Sequence, residues 1–397
     1  MRRTILFGSA SARALAACAS IAAFALFSPS ASAQFLVHPP VGGAGIEGDI
    51  EDPQTDRFGT AVAIRSGLAF ISAPLLPPGG AVLVYTATST GLIGTATLRL
   101  SNPAPFETFG FGLTYRDGIL TVDSDQAAYV FKRNSSGVWT QRQRITPHGP
   151  RWYEDGTLAM VASGAVNIYQ LDAAGKFTLR QKLVSPDSAP NDRLGGLTMA
   201  GPTIVVGGNG RAYVFRRNST GVWRHRQTLI ASELGTEEGA RAGFGSTVAI
   251  DRGMIIVGAP GVGRQEGQMF AEGAAYGFIL DGSSYVETFK LQPRLDGYGD
   301  PSFSFGQQIA MFGDRIVVGA YSLAPEDGAF ECDSFEGAFF SYTRAGSSVR
   351  PRGVAFSTGP HPSLALADQR LLVGTPCLDS RFPTPGRATL FLLNVFR

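Results

Sequence analysis

Apolar residues along this chain fall into short runs of two textures. Runs such as Met254-Ile255-Ile256-Val257 are apolar at every position, so a strand there must be covered on both faces. Runs such as Trp223-Arg224-His225-Arg226-Gln227 are polar and suit an outer strand wetted by solvent. No segment carries the apolar spacing of an amphipathic helix. The 50 Gly and 24 Pro fall largely between the runs, as expected for many short strands joined by tight turns.

The succession repeats. Residues 129–139, YVFKRNSSGVW, return at 213–223 as YVFRRNSTGVW, with only Lys/Arg and Ser/Thr exchanges. A looser unit of four steps runs through the chain. A Phe-Gly opening leads an apolar segment (58–64, 111–115, 244–250, 305–311). A tight turn and an apolar run ending in small residues follow (68–74, 204–208, 254–260, 315–320, 370–376). Then come a Gly/Ala-aromatic strand (81–85, 212–215, 274–278, 338–342) and a polar strand (95–100, 139–145, 177–183, 223–230, 285–291). Openings near Arg57, Thr108, Arg151, Arg193, Ala242, Ser302 and Gly353 give seven units; the third shows Trp152-Tyr153 and the fourth Leu194-Gly195 in place of Phe-Gly. The pattern predicts an all-β, seven-bladed β-propeller of four-stranded antiparallel blades, whose radial stack leaves only short edges. The seventh unit stops after its third strand, 388–395, so its fourth is expected from 34–39, which resembles the ending 289–293.

Composition refines this. Apolar residues make up 44% and charged residues 17%, too rich and too lightly charged for disorder. The formal net charge of +2 does not suit a dedicated nucleic-acid binder. Residues 1–33 read as a secretory leader: Arg2 and Arg3, an Ala-rich apolar run to Phe27, and a small-x-small site cleaved between Ala33 and Gln34. The run is too short to span a membrane, and no later run is long enough. Two other readings of the leader are lipid attachment at Cys18, in Leu15-Ala16-Ala17-Cys18, and twin-arginine export. The expected product, residues 34–397, is a secreted or periplasmic monomer with a net charge of about −1.

The pairing of Phe244-Gly245 with Val257-Gly258-Ala259-Pro260 resembles the FG-GAP repeat, which builds the integrin-α propeller and many bacterial secreted proteins. The likeness covers roughly 46–397 and is best at 242–291. It implies a binding or adhesion role, with the ligand held on the face carrying the loops between second and third strands. It also brings a calcium loop, Asp-x-Asp-x-Asp-Gly, between first and second strands. Here those turns (65–67, 116–118, 251–253, 312–314, 367–369) offer one carboxylate at most, against the six to eight oxygens calcium takes. Neither calcium nor another cofactor is expected there.

Loops between second and third strands are two residues long in units two and four, but span 261–273, 322–337 and 377–386 in units five to seven. Binding residues concentrate on such loops. The candidates are Glu326, Asp327, Phe330, Glu331, Asp333, Phe335 and Glu336 in the sixth, Arg264 and Glu266 in the fifth, and Arg381 in the seventh. Acids beside aromatics suit a cationic or polyhydroxylated partner, either a protein or a glycan, or a local cation site; the other reading is a variable surface loop with no ligand. In an oxidising compartment Cys332 and Cys377 are expected to pair, closing a loop worth about 4 kcal/mol in the chain-entropy model. Arg142, Arg144, Arg180, Arg224 and Arg226 form a basic band on outer strands, suited either to a polyanion or to blocking sheet-to-sheet association. Asn134-Ser135-Ser136 and Asn218-Ser219-Thr220 match the glycosylation pattern but sit where a hairpin turn wants Asn and Gly. The four His have no metal spacing, and no Gly-x-Ser-x-Gly elbow is present, so no catalytic residue is assigned. Two alternatives remain: a hydrolase or lyase with carboxylates near a central channel, and a structural module without a small ligand.

Overall fold

The computed structural model describes residues 44–47 and 57–392, apart from 90, 147, 187–193, 209, 265–270, 293–303, 322–335, 359–362, 368–369 and 377–386. All of them belong to the unit Phe35–Arg397. Seven four-stranded antiparallel sheets follow one another along the chain as the blades of a propeller. The first strands are Val62–Arg65, Phe109–Arg116, Arg151–Glu154, Leu194–Ala200, Val248–Asp251, Gln308–Phe312 and Ser363–Ala367, and they surround one channel. Second strands such as Met254–Ala259 are buried along their whole length, whereas a fourth strand such as Trp223–Leu229 exposes Arg224-His225-Arg226 between a buried Trp223 and a buried Leu229, matching the two textures of the sequence.

Two glycines per joint explain the repeat at three of the joints. The Gly that opens blades one, five and six has positive φ (Gly59 +88°, Gly245 +93°, Gly306 +95°), where a side chain is strained. Its N–H donates into its own blade, Gly245 to Gly258 O at 3.0 Å and Gly306 to Gly319 O at 3.1 Å. Its carbonyl presses on the second-strand glycine of the preceding blade: Gly245 on Gly207, Gly306 on Gly258, and Gly59 on Gly374. A Cβ on any of those partners would overlap that oxygen. The Phe-Gly of one blade and the Gly-Ala-Pro of the blade before it are two halves of one contact. The opening Phe is buried against third-strand aromatics, as in Phe244–Tyr276 (5.6 Å between ring centres) and Phe305–Phe340 (5.1 Å).

Outer strands are joined by a second device. Each of blades one to six has a β-bulge between third and fourth strands. In blades two to four a Gln follows the bulge and clasps the backbone of the next blade's fourth strand. Gln143 Nε2 donates to Phe177 O (2.9 Å) and Oε1 accepts from Phe177 N (2.7 Å). Gln181 holds Trp223 (2.7 and 2.9 Å) and Gln227 holds Tyr285 (both 2.7 Å) in the same way.

The structure corrects several sequence expectations. The second opening is Phe109-Gly110, not Phe111-Gly112: Phe109 is buried, Phe111 is exposed, and Gly110 carries the positive φ. Trp152-Tyr153 lies within the first strand of blade three, not at an opening. The seventh opening placed near Gly353 falls inside the long fourth strand of blade six, Ser348–Thr358, and blade seven begins at Ser363. A short helix, Gly235–Arg241, stands in the connection between blades four and five. The strand paired with Arg387–Leu392 is Ala44–Glu47, with Ala44 opposite Leu390. The segment 34–39, expected in that place, lies outside the described residues.

Candidate functional site: the loop face and the channel

Strand ends set the lengths of the connections between second and third strands. They are 74–80, 125–127, 163–164 and 209–210 in blades one to four, then 260–273, 322–335 and 376–386 in blades five to seven. In an up-and-down blade all seven emerge at the same end, so three consecutive blades carry the long ones. Arg264 is exposed early in the fifth connection, its N–H donating to Gly261 O at 3.3 Å. Glu336 is the first residue of Glu336–Ala345, opposite Thr358. Glu266, Glu326, Asp327, Phe330, Glu331, Asp333, Phe335, Arg381, Cys332, Cys377, Ala33 and Gln34 lie outside the described residues.

The same end holds two carboxylates that the sequence did not single out. Glu107 Oε1 accepts from Ser124 Oγ and Tyr129 OH, both at 2.6 Å, and Oε2 from Ala104 N at 3.0 Å, while Arg144 donates to Tyr129 OH at 3.1 Å. Burial pushes the Glu107 carboxyl up, but Ser124, Tyr129, the Ala104 amide and the Arg144 charge together hold it below the ordinary value. In blade five, Glu233 Oε1 accepts from Tyr276 OH and meets Lys290 Nζ, both at 2.5 Å, and Lys290 first and then Tyr276 lower its pKa. Burial, followed by the Glu233 bond and charge, raises the Tyr276 phenol far above its ordinary value. Each cluster ties an inter-blade connection to a third-strand Tyr and a fourth-strand cation; Tyr129 stands opposite Arg144 and Tyr276 opposite Lys290. The repeated register was legible, but the acids lie in connections outside the repeat.

The channel encloses about 380 Å³ and is lined by first strands of all seven blades. Its far mouth is ringed by turns between first and second strands. Ser66-Gly67, Asp117-Gly118, Asp155-Gly156 and Arg252-Gly253 have positive φ at both central positions, which makes them tight hairpin turns. Charges there are paired across blades: Arg116–Glu154 at 2.9 Å and Arg252–Asp314 at 3.3 Å, with Gly313 N donating to Asp251 Oδ2 at 2.6 Å. Among the described residues no group of three or more His, Cys, Asp and Glu could hold a metal ion. The mouth carboxylates Glu154, Asp251 and Asp314 each face a cation or an amide rather than one another.

The model of the FG-GAP repeat family matches residues 223–278, which run from the outer strand of blade four to the third strand of blade five. This chain is an FG-GAP propeller. No curated protein matches its sequence. Among solved structures, the FG-GAP propeller is similar to a chain of a mitotic checkpoint complex at 11% identity and a TM-score of 0.52, over 94% of this chain and 98% of that one. It is also similar to a protein from Bacteroides uniformis described as a candidate 6-phosphogluconolactonase, at 9% identity and a TM-score of 0.51, over 75% of this chain and 88% of that one. At these identities the likeness is one of fold alone.

Proposed function

We propose that this FG-GAP propeller is an exported recognition protein that binds a protein or glycan partner with the connections of blades five to seven. The observation that carries this reading is their length: 260–273, 322–335 and 376–386 stand on adjacent blades, against two- and three-residue turns on blades two to four. A ring of sheets in which three neighbouring blades carry the long connections at one end suits binding on that side. The sixth connection supplies Glu326, Asp327, Glu331 and Asp333 with Phe330 and Phe335, and the third strand begins at Glu336. That chemistry suits a cationic or polyhydroxylated surface. A Cys332–Cys377 disulfide would hold the sixth and seventh connections together, and the leader 1–33 accounts for the oxidising compartment it needs. The test is binding to glycan and protein arrays by the chain from Gln34 onward, alone and with Phe330, Phe335 and Asp333 replaced by Ala. Binding that disappears in the variant, with an unchanged melting temperature, supports the reading. Equal binding by both proteins overturns it.

A further inference from the structure

At the opposite end of blades four and five the structure carries a second feature. A cleft of about 340 Å³ opens between these blades, with Val214, Ile250 and Leu280 among its apolar lining and Arg216, Arg226 and Tyr285 among its polar lining. Arg216 comes from the third strand of blade four and Arg226 from the fourth. Arg226 is the extra residue of the bulge, because Val214 pairs with Gln227 and Phe215 with His225. A bulge re-aims a side chain relative to the regular ladder, and here the bulged residue lines the cleft.

Arg216, Arg224 and Arg226 are all exposed and carry one sign of charge. Arg216 lies directly opposite Arg224 across the strand pair, and like charges so placed repel. Arg226 adds a third guanidinium, and the fourth strand Trp223–Leu229 carries no acid. Among the described residues no carboxylate comes within 4.0 Å of these three arginines. Neighbouring groups are otherwise engaged: Arg252 pairs with Asp314, Glu287 takes the N–H and hydroxyl of Ser232, and Arg217 stacks on Trp223 at 5.5 Å. Among the described residues these three exposed guanidiniums have no carboxylate partner, and two of them line an apolar-floored cleft. Guanidinium forks match the paired oxygens of carboxylate, sulfate and phosphate.

From this we infer that the cleft between blades four and five binds an anionic sugar unit, with its acidic group on Arg216 and Arg226 and its ring against Leu280 and Tyr285. The volume suits one sugar ring rather than a bare ion. The site lies at the other end of the propeller from the long connections, so it stands or falls separately from the binding proposed for them.

The experiment titrates the intact chain from Gln34 onward with a sulfated heparin disaccharide, with neutral lactose and with inorganic phosphate, by calorimetry at low and at physiological salt. The expected result is saturable, salt-weakened binding of the sulfated disaccharide, no binding of lactose, and phosphate binding at least tenfold weaker. Arg216→Gln with Arg226→Gln is expected to reduce that affinity at least tenfold. Arg142→Gln with Arg180→Gln, on the outer strands of blades two and three, is expected to leave it within twofold. In the absence of sugar, Arg224→Gln is expected to raise the melting temperature, because it relieves the repulsion with Arg216. Equal loss in both double variants would show a diffuse basic surface and overturn the proposal. So would undiminished binding in Arg216→Gln/Arg226→Gln, or phosphate binding as tight as the sugar.

Discussion

The joint between blades two and three rests on a buried ion pair, and breaking it from one side is expected to be costly. The Arg151 side chain is 2% exposed and reaches back from blade three to the Asp123 carboxylate, itself 15% exposed. It also donates to Thr121 Oγ1 and Gly112 O, both at 2.9 Å. Burial pushes the guanidinium down to about 9, so it stays charged at neutral pH and depends on the carboxylate beside it. Removing one member of such a pair leaves an uncompensated buried charge, a loss of roughly 3–5 kcal/mol. Asp123→Asn is therefore expected to destabilise by about 4 kcal/mol. With an unfolding entropy of about 0.8 kcal/mol/K for the 364 residues 34–397, that lowers the melting temperature by about 5 °C. Arg151→Met combined with Asp123→Leu is expected to recover at least about 2 kcal/mol, because an apolar pair of similar volume has no charge to desolvate. Urea titrations and calorimetry of Arg151→Met, Asp123→Leu and the double complete the cycle. Strictly additive effects, or single losses within about 0.5 kcal/mol, would refute the assignment of this joint to the ion pair.

Other expectations follow from the same contacts. Gly258→Ala puts a methyl group onto the Gly306 carbonyl and is expected to cost more than about 3 kcal/mol, whereas Gly221→Ala, with positive φ but open space, is expected to cost about 1 to 2 kcal/mol; denaturant midpoints of the two variants check the difference. Gln181→Leu removes both hydrogen bonds to Trp223 and is expected to cost about 2 kcal/mol, with Gln143→Leu adding independently, as read by the same titrations. Because Glu107 has a depressed carboxyl pKa when folded, its contribution is complete above the ordinary carboxylate range and is lost as pH falls through the folded value. Glu107→Gln is expected to flatten the acid limb of a stability–pH curve, and an unchanged slope would contradict that. Deleting residues 44–47 is expected to expose the edge Arg387–Leu392 and lower the melting temperature, whereas an unaltered melt would show that this pairing does not support the ring.

Much of the fold could be read from the chain because each repeat encodes a contact with its neighbour. Gly258 and Gly306 are separated in sequence, yet both are glycine because they touch. The errors arose where the code was ambiguous. Phe109-Gly110-Phe111-Gly112 reads in two frames, and only the buried ring of Phe109 chooses between them. Blade six has third and fourth strands of 10 and 11 residues, so its outer strand overran the place expected for the seventh opening. The helix Gly235–Arg241 spans two turns, too few to show a period. Arg-Gln recurs at 142–143, 180–181 and 226–227, and the Gln clasps could have been inferred from that register. Glu107 and Glu233 sit in connections with no repeat to mark them.

The claim that recognition belongs to one side of the ring is tested most directly by shortening loops. Residues 322–335 are replaced by Asn-Gly in one variant and residues 74–80 in another, and both are compared with the parent chain on glycan and protein arrays. The first replacement is expected to abolish binding and the second to leave it intact, with both variants folded. Retained binding after loss of 322–335, or equal loss from both, would contradict it.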